Sequence, residues 1–338
     1  MRIETRMIAT PTYRVLMTGV PGHRMPQAGI ALVIVLWIIT LLSLIAASFA
    51  YAMRSEMAIV GNTLSLAKGA AAADAGIQRA IYELFKPANL AGRWDTNGVP
   101  RDWAFGDATV TITMTDESGK IDINTGSDLL LKGLFLTQGV PDDQATALVD
   151  AIKDWVDADS LKRLHGAEES EYAAAGLGYK PANAPFLAME ELKLVLGMTP
   201  DLYRKIAPYI TIYSRLPGVN SQIASRDVLR AIPGVTDEQV DAYLQQRETA
   251  RQQNAALPSF TVGAAYLSVG SGMMTRIVAD AKLNDGTHFL REAVVMKLAN
   301  PKRPYTYLLW REVRDAPPAA TAALAPTGTA GDASTQVR

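Results

Sequence analysis

The sequence predicts an α+β protein: a long amino-terminal helix packed on a small antiparallel sheet, with a large all-α insert interrupting that sheet. Three observations predict this. An uncharged apolar run from Gly29 to Met53 passes into an Ala-rich segment of helical spacing. Segments alternating Val or Ile with polar residues occur on both sides of the chain's middle, and between them the pattern becomes helical and repeats a glycine-centred turn.

The apolar run is close to the roughly 20 residues of a helix that spans a bilayer. It follows a leader carrying Arg2, Arg6, Arg14 and Arg24, which predicts an orientation with the amino terminus inside and the body outside. Small residues in "AASFAYA" (46–52) also offer a site for signal peptidase, so a secreted domain stripped of this run is a competing reading. The greater length of the run favours a retained helix. After Arg54 the residues Ile59, Leu66, Ala70, Ile77, Ile81 and Leu84 recur at helical spacing, so the helix is expected to continue as an amphipathic one.

"NLAGRWDTNGVPRDW" reads as a loop. In "DATVTITMTDESGKIDINT" the alternation of Val110, Ile112 and Met114 with Thr109, Thr111, Thr113 and Thr115 predicts a half-buried strand, with "ESGK" as its turn. "SFTVGAAYLSVGSG", "MMTRIVADAKLNDG" and "THFLREAVVMKLAN" read as three further strands joined by Gly, Asn and Asp turns. The segment from Ala316 onward is rich in Ala, Pro, Thr and Gly with little to bury, a composition expected to be disordered.

The helical middle is organised by a repetition. "LFLTQGVPDDQATALVDAI", "LKLVLGMTPDLYRKIAPYI" and "LRAIPGVTDEQVDAYLQQR" each place a helix end before a Gly, then a hydrophobe, then a residue that starts the next helix. Gly139, Gly197 and Gly234 suit the positive φ of a helix terminus, and Pro141, Thr199 and Thr236 suit helix starts. Such hairpins resemble SAM-like or helix-hairpin-helix modules, some of which bind DNA phosphate at the second helix. Here Asp142, Asp143, Asp201, Asp237 and Glu238 occupy those starts and repel phosphate, and 33 basic against 34 acidic residues leave a net charge of -1. No nucleic acid is expected, and a membrane-anchored DNA receptor is the alternative function.

No enzyme constellation appears. His23, His165 and His288 have no neighbouring nucleophile pattern, and the absence of cysteine excludes disulfides, thiolate metal sites and Cys nucleophiles. The densest chemistry is the carboxylate group Asp154, Asp157, Asp159, Glu168, Glu169 and Glu171, whose oxygens suit a hard cation such as calcium. An exposed, solvated acidic face is the plainer reading. An EF-hand is not met, because the position needing Gly holds Lys162.

The basic leader, the Gly that closes it, the apolar helix and the Ala-rich extension resemble the type IV pilins and the pseudopilins of type II secretion. "DESGKIDINT", "DAIKDWVDADS", "NAPFLAMEELKLVLGMTPDLYRKIAPYITIY" and "IASRDVLRAIPGV" extend the resemblance to the K-type minor pseudopilin, from Gly29 to about Leu298. The resemblance implies a pilin-like fold and cleavage by a prepilin peptidase between Gly29 and Ile30. It also implies a single-pass inner-membrane protein, amino terminus cytoplasmic and body periplasmic, seated at the tip of the pseudopilus. The implied partners are I- and J-type minor pseudopilins, other inner-membrane components of type II secretion, and membrane lipid. Most pilins carry Glu at the fifth mature position; here that position is Ile34, an absence that marks the K type. Family members also carry acidic loops that bind calcium, which makes Asp157, Asp159, Glu168 and Glu171 the preferred ligands. The expected divisions are a leader (1–29), a transmembrane helix (30–53), a pilin-like helix and first strands (54–127), the helical insert (128–256), completing strands (257–315) and a tail (316–338).

Overall fold

The apolar run and the Ala-rich segment after it form one helix, α1 (Ala28–Phe85). No Pro interrupts it, and Pro87 follows its end. The structure, a computed structural model, describes residues 28–313 apart from 88, 89, 91, 254, 270 and 271. The basic leader up to residue 27 and the tail from Ala316 lie outside the described residues. The chain divides into two compact units, one ending at Asn62 and one beginning at Thr63.

Within the second unit, α1 buries Ala72, Ala73, Ile77, Ala80, Ile81 and Leu84 on one stripe. Small residues on this stripe let the helix lie close to the sheet: a Cβ added at Gly76 would stand 2.7 Å from Val110 Cγ1. The sheet's buried face contributes Val110, Ile112, Met114, Ile277, Ala279 and Ala281 to the same core. Full burial of Ile77, Ile81 and Leu84 is worth about 1.5–3 kcal/mol each relative to exposure.

After α1 come β1 (Arg101–Phe105) and β2 (Ala108–Asp116), then a 3-10 turn (Glu117–Gly119) and β3 (Ile121–Asp122). The insert follows with α2 (Asp128–Thr137), α3 (Asp142–Val156), α4 (Glu169–Ala174), α5 (Pro200–Ile206), β4 (Ile210–Thr211), α6 (Arg226–Arg230) and α7 (Asp237–Gln252). The chain returns to the sheet with β5 (Met274–Leu283), β6 (His288–Lys297) and β7 (Tyr305–Val313). The five-stranded sheet has the order β1-β2-β5-β6-β7 with every pair antiparallel, while β3, just before the insert, pairs in parallel with β4 inside it. This is the α+β architecture expected, but two of its strands differ from expectation.

The Trp- and Gly-rich stretch read as a loop ends in strand β1, where Asp102 faces Thr111 across the pair and accepts its hydroxyl at 2.7 Å. "SFTVGAAYLSVGSG" is not a strand of the sheet. Gly263 has φ 67°, and a 3-10 turn follows at Ala264–Tyr266. Phe260 enters the insert's core against Tyr243, and an isolated β-bridge joins Leu267 to Val219. The third returning strand is instead β7, further along the chain.

The insert has its own core, built on Leu130, Leu134, Phe135, Leu148, Ile152, Tyr172 and Leu192 with Ile121 and Ile123. The repeated turns take the form their sequence specifies. Gly139, Gly197 and Gly234 have φ of 81°, 88° and 78°, each closing one helical segment before the next begins. Thr199 and Thr236 cap α5 and α7 through hydroxyls that accept from Leu202 N and Gln239 N. Close helix packing adds a further constraint: a Cβ at Gly133 on α2 would fall 1.9 Å from the Ala231 carbonyl oxygen, so only glycine fits without displacing backbone.

Candidate functional site

Among the described residues, the first unit buries none. Every residue from 30 to 64 is exposed, including Leu32 (74%), Trp37 (73%) and Tyr51 (79%). Among the described residues this is the one helix long and apolar enough to cross a membrane. An aqueous solvent would have to cover the whole circumference of Leu, Ile and Val side chains, whereas lipid covers it without penalty. Gly29 and Ile30 fall in the first turn of α1, and Ile34 lies one turn further on, 52% exposed. The sequence places no charge between Arg24 and Arg54.

The acidic loop forms where α3 ends. Asp157 is the residue that closes α3, and the chain then folds back along the helix so that Arg163 N donates to both oxygens of Asp154 at 3.2 Å. His165 N donates to Asp150 Oδ2 at 3.1 Å, one turn earlier. Gly166 lies directly on Asp154, where a Cβ would stand 1.9 Å from Oδ2. The base of the loop is aromatic: Trp155 stacks on Phe186 with centroids 5.9 Å apart and packs against Tyr172. Asn183 Nδ2 donates to Asp159 O at 2.6 Å and ties a second loop to the first.

The preferred ligands do not all share one environment. Burial, followed by repulsion from Asp154, Asp157 and Asp159, raises the Glu168 carboxyl above its ordinary value. Burial and then Asp159 raise Asp157 in the same way, and burial raises the wholly buried Asp154. Asp157 Oδ1 and Glu168 Oε1 are buried with no hydrogen-bond partner among the described residues. Glu171 differs: it accepts from Lys162 Nζ at 2.8 Å and from Glu168 N at 2.9 Å, which hold its carboxyl down to about 2. The other local cations face elsewhere, Arg163 onto Asp128 at 2.7 Å and Lys153 onto Gly126 O at 2.8 Å. Among the described residues no three His, Cys, Asp or Glu groups are gathered closely enough to enclose a metal ion. Asp157, Asp159 and Glu168 therefore share a field of like charge without forming a closed coordination shell, and Glu171 is already paired.

A second cluster of charges, which no local sequence pattern announces, joins the insert to the sheet. Glu117, wholly buried in the turn after β2, accepts from Arg276 Nε at 2.7 Å, from Lys120 Nζ at 3.0 Å and from the Thr211 hydroxyl of β4. Arg276 also pairs with Glu292 of β6, and Glu292 with Arg311 of β7 at 2.6 Å. Arg311 reaches on to Glu190 of the insert at 2.7 Å. Each cation thus has a carboxylate, an arrangement that fixes one orientation of the insert on the sheet.

The chain is similar to known proteins in these same regions. Residues 113–215 match the family model for type II secretion system (T2SS), protein K. The type II secretion system protein K of Klebsiella pneumoniae is 30% identical over 209 residues, 56% of this chain and 63% of that protein. The match thus spans less than two thirds of that relative's length. The protein of the same description from Pseudomonas aeruginosa is 24% identical over 292 residues, 78% of this chain and 86% of the relative. Among solved structures, the GspK-GspI-GspJ complex of the enterotoxigenic Escherichia coli type 2 secretion system contains a chain of the same fold, with a TM-score of 0.57 at 18% identity. That likeness covers 77% of this chain and 100% of the other.

Proposed function

We propose that the chain is a type II secretion system protein K, a minor pseudopilin at the tip of the pseudopilus, where it promotes initiation and assembly for protein export across the outer membrane. The observation that carries this reading is a fully exposed apolar span, bare of any carboxylate at Ile34, on a chain whose body has a large helical insert. A carboxylate in hydrocarbon is expensive unless it is paired, so a subunit with no neighbour beyond it is better off without one. In this reading a prepilin peptidase cuts between Gly29 and Ile30, leaving the span in the inner membrane, amino terminus cytoplasmic and body periplasmic. I- and J-type minor pseudopilins are the direct partners, by analogy with the assembly named for the E. coli structure, and Ala31, Ala46, Ala47 and Ser48 let neighbouring helices approach. The protein acts as a structural component. A DNA receptor is less well supported, because Asp237 at the start of α7 already holds Arg226 and Arg230.

Mass spectrometry of the mature protein, isolated in detergent with its partners, tests the proposal. A chain beginning at methylated Ile30 that co-purifies with the I- and J-type subunits is expected. A chain beginning near Tyr51 or Met53 would make it a secreted domain and end the tip reading.

The same proposal gives the acidic loop a calcium ion, with Asp157, Asp159 and Glu168 as ligands; Glu171 would first have to release Lys162. The two orphaned oxygens on Asp157 and Glu168 support it, since hard cations take carboxylate oxygens. Asp154, Asp157 and Glu168 all have raised folded-state values. Their protonated forms therefore favour the fold below the ordinary carboxylate range, and in metal-free protein that stability is lost as pH rises through the raised values. Calcium at a hundred times its dissociation constant should restore about 2.7 kcal/mol at neutral pH. Thermal melts with calcium and with chelator, repeated across pH, check this. Identical melting temperatures at neutral pH in both would remove the ion.

A further inference from the structure

On the face of the sheet turned away from α1, Thr111, Thr113 and Thr115 of β2 stand opposite Asp280, Val278 and Arg276 of β5, pair by pair. This half-buried strip lines a cavity of about 470 Å3 whose lining continues onto the α6–α7 hairpin. The volume falls within the range of about 300–1,000 Å3 common to sites for small ligands and short peptides.

The charges in this cleft are unevenly compensated. Arg226 is held by Asp237 and Asp241, and Arg276 by Glu117 and Glu292. Arg247 and Arg251 also line the cleft, but among the described residues neither forms a salt bridge with a carboxylate. Arg247 is only 4% exposed and spends Nη1 on the carbonyl oxygens of Ser221 (2.7 Å) and Ala224 (2.8 Å). Arg251 donates to Gln222 O at 2.5 Å. Carbonyl oxygens satisfy hydrogen bonds without neutralising charge, so two cations stand together at one end of the cleft outside any such salt bridge, the charge of Glu248 acting on Arg247 more weakly than that of Arg251. Burial, and after it the charge of Arg251, bring Arg247 down to about 10.

We propose that this cleft binds a carboxylate-bearing peptide segment of a partner polypeptide, its carboxylate on Arg251 and Arg247 and its backbone along the threonine strip. The chemistry argues for one carboxylate on an otherwise neutral chain. Asp116, Asp280 and Glu292 elsewhere in the lining would repel a polyanion, whereas hydroxyls and the apolar Val278, Ile223 and Leu244 accept a peptide backbone with small side chains.

The test uses the full chain in detergent and a dye-labelled peptide, Ala-Val-Ala-Val-Glu amide, with Ala-Val-Ala-Val-Gln amide as the neutral control, followed by fluorescence anisotropy. Saturable binding of the acidic peptide, about tenfold tighter than the control, is expected from one charge-assisted pair. Arg251→Gln, at a half-buried position, should weaken that binding about tenfold while its melting curve overlays that of the parent. Inorganic phosphate at the same concentration should leave the peptide bound. Equal binding of the two peptides, no saturation, indifference to Arg251→Gln, or displacement by phosphate would each overturn the proposal.

Discussion

Replacing Glu117 with Ala should lower the melting temperature of the second unit by about 10 °C, a larger effect than any surface substitution would produce. Glu117 is wholly buried and is the shared acceptor for Arg276, Lys120 and Thr211. Its removal leaves Lys120, itself nearly enclosed, without its carboxylate and Arg276 with only half of its compensation. Breaking one member of a buried ionic group typically costs about 3–5 kcal/mol, because the remaining charges are left unpaired in a medium that solvates them poorly. A Glu117→Leu, Arg276→Met double variant should recover part of the loss, since it removes that pair together and keeps apolar volume, leaving Glu292 on Arg311 and only Lys120 without its salt bridge.

The pH dependence follows with a definite sign. Burial alone would raise the Glu117 carboxyl, but Arg276 and then Lys120 outweigh it and bring the group from 4.5 down to about 2. A carboxyl depressed by folding contributes stability that is present above its unfolded value and lost as pH falls through the folded one. Thermal melts should therefore show the parent losing this contribution between about pH 4.5 and pH 2, while Glu117→Ala shows a flatter profile in that window. If the variant melts with the parent at neutral pH, the network does not hold the insert on the sheet.

The parts of the fold legible in the sequence are those set by local chemistry. The Thr alternation of β2 and the turns at Gly139, Gly197 and Gly234 are visible because a strand period and a positive φ each leave a signature within a few residues. The Glu117–Arg276 pair is not visible, because its partners lie 159 residues apart and only the assembled sheet brings them together. "SFTVGAAYLSVGSG" misleads for a related reason. Its composition suits a strand, but Gly263 turns the chain against Ile232 of the insert, and composition does not say which of two cores a segment joins. Strand β1 is obscured in the opposite way, its five residues following Pro100 in a stretch of turn formers. In the acidic loop the density of carboxylates was plain. That Lys162 takes Glu171, and that Asp154 anchors the loop through Arg163 N, depends on how the loop folds back over α3.

Three lysines in the apolar span, Val35→Lys, Ile38→Lys and Leu42→Lys, should move the chain from the membrane to the soluble or degraded fraction. The argument is one of summed transfer energies. The Leu, Ile, Val and Phe side chains of the span together favour insertion by on the order of 4–8 kcal/mol, at about 0.3–0.6 kcal/mol each near the centre. Each central lysine opposes it by about 2.5–3.5 kcal/mol, so three outweigh the whole apolar gain, and the three positions fall too deep for every ammonium to snorkel to one interface. Ile30→Lys is the matched control. It lies at the very start of the span, where a lysine stem can reach the headgroups, so it should leave membrane association unchanged. Carbonate extraction of membranes followed by blotting separates the outcomes. If the triple variant stays in the membrane pellet as firmly as the parent, the exposed apolar surface of α1 is not what holds the chain there, and a subunit that assembles through that helix must be reconsidered.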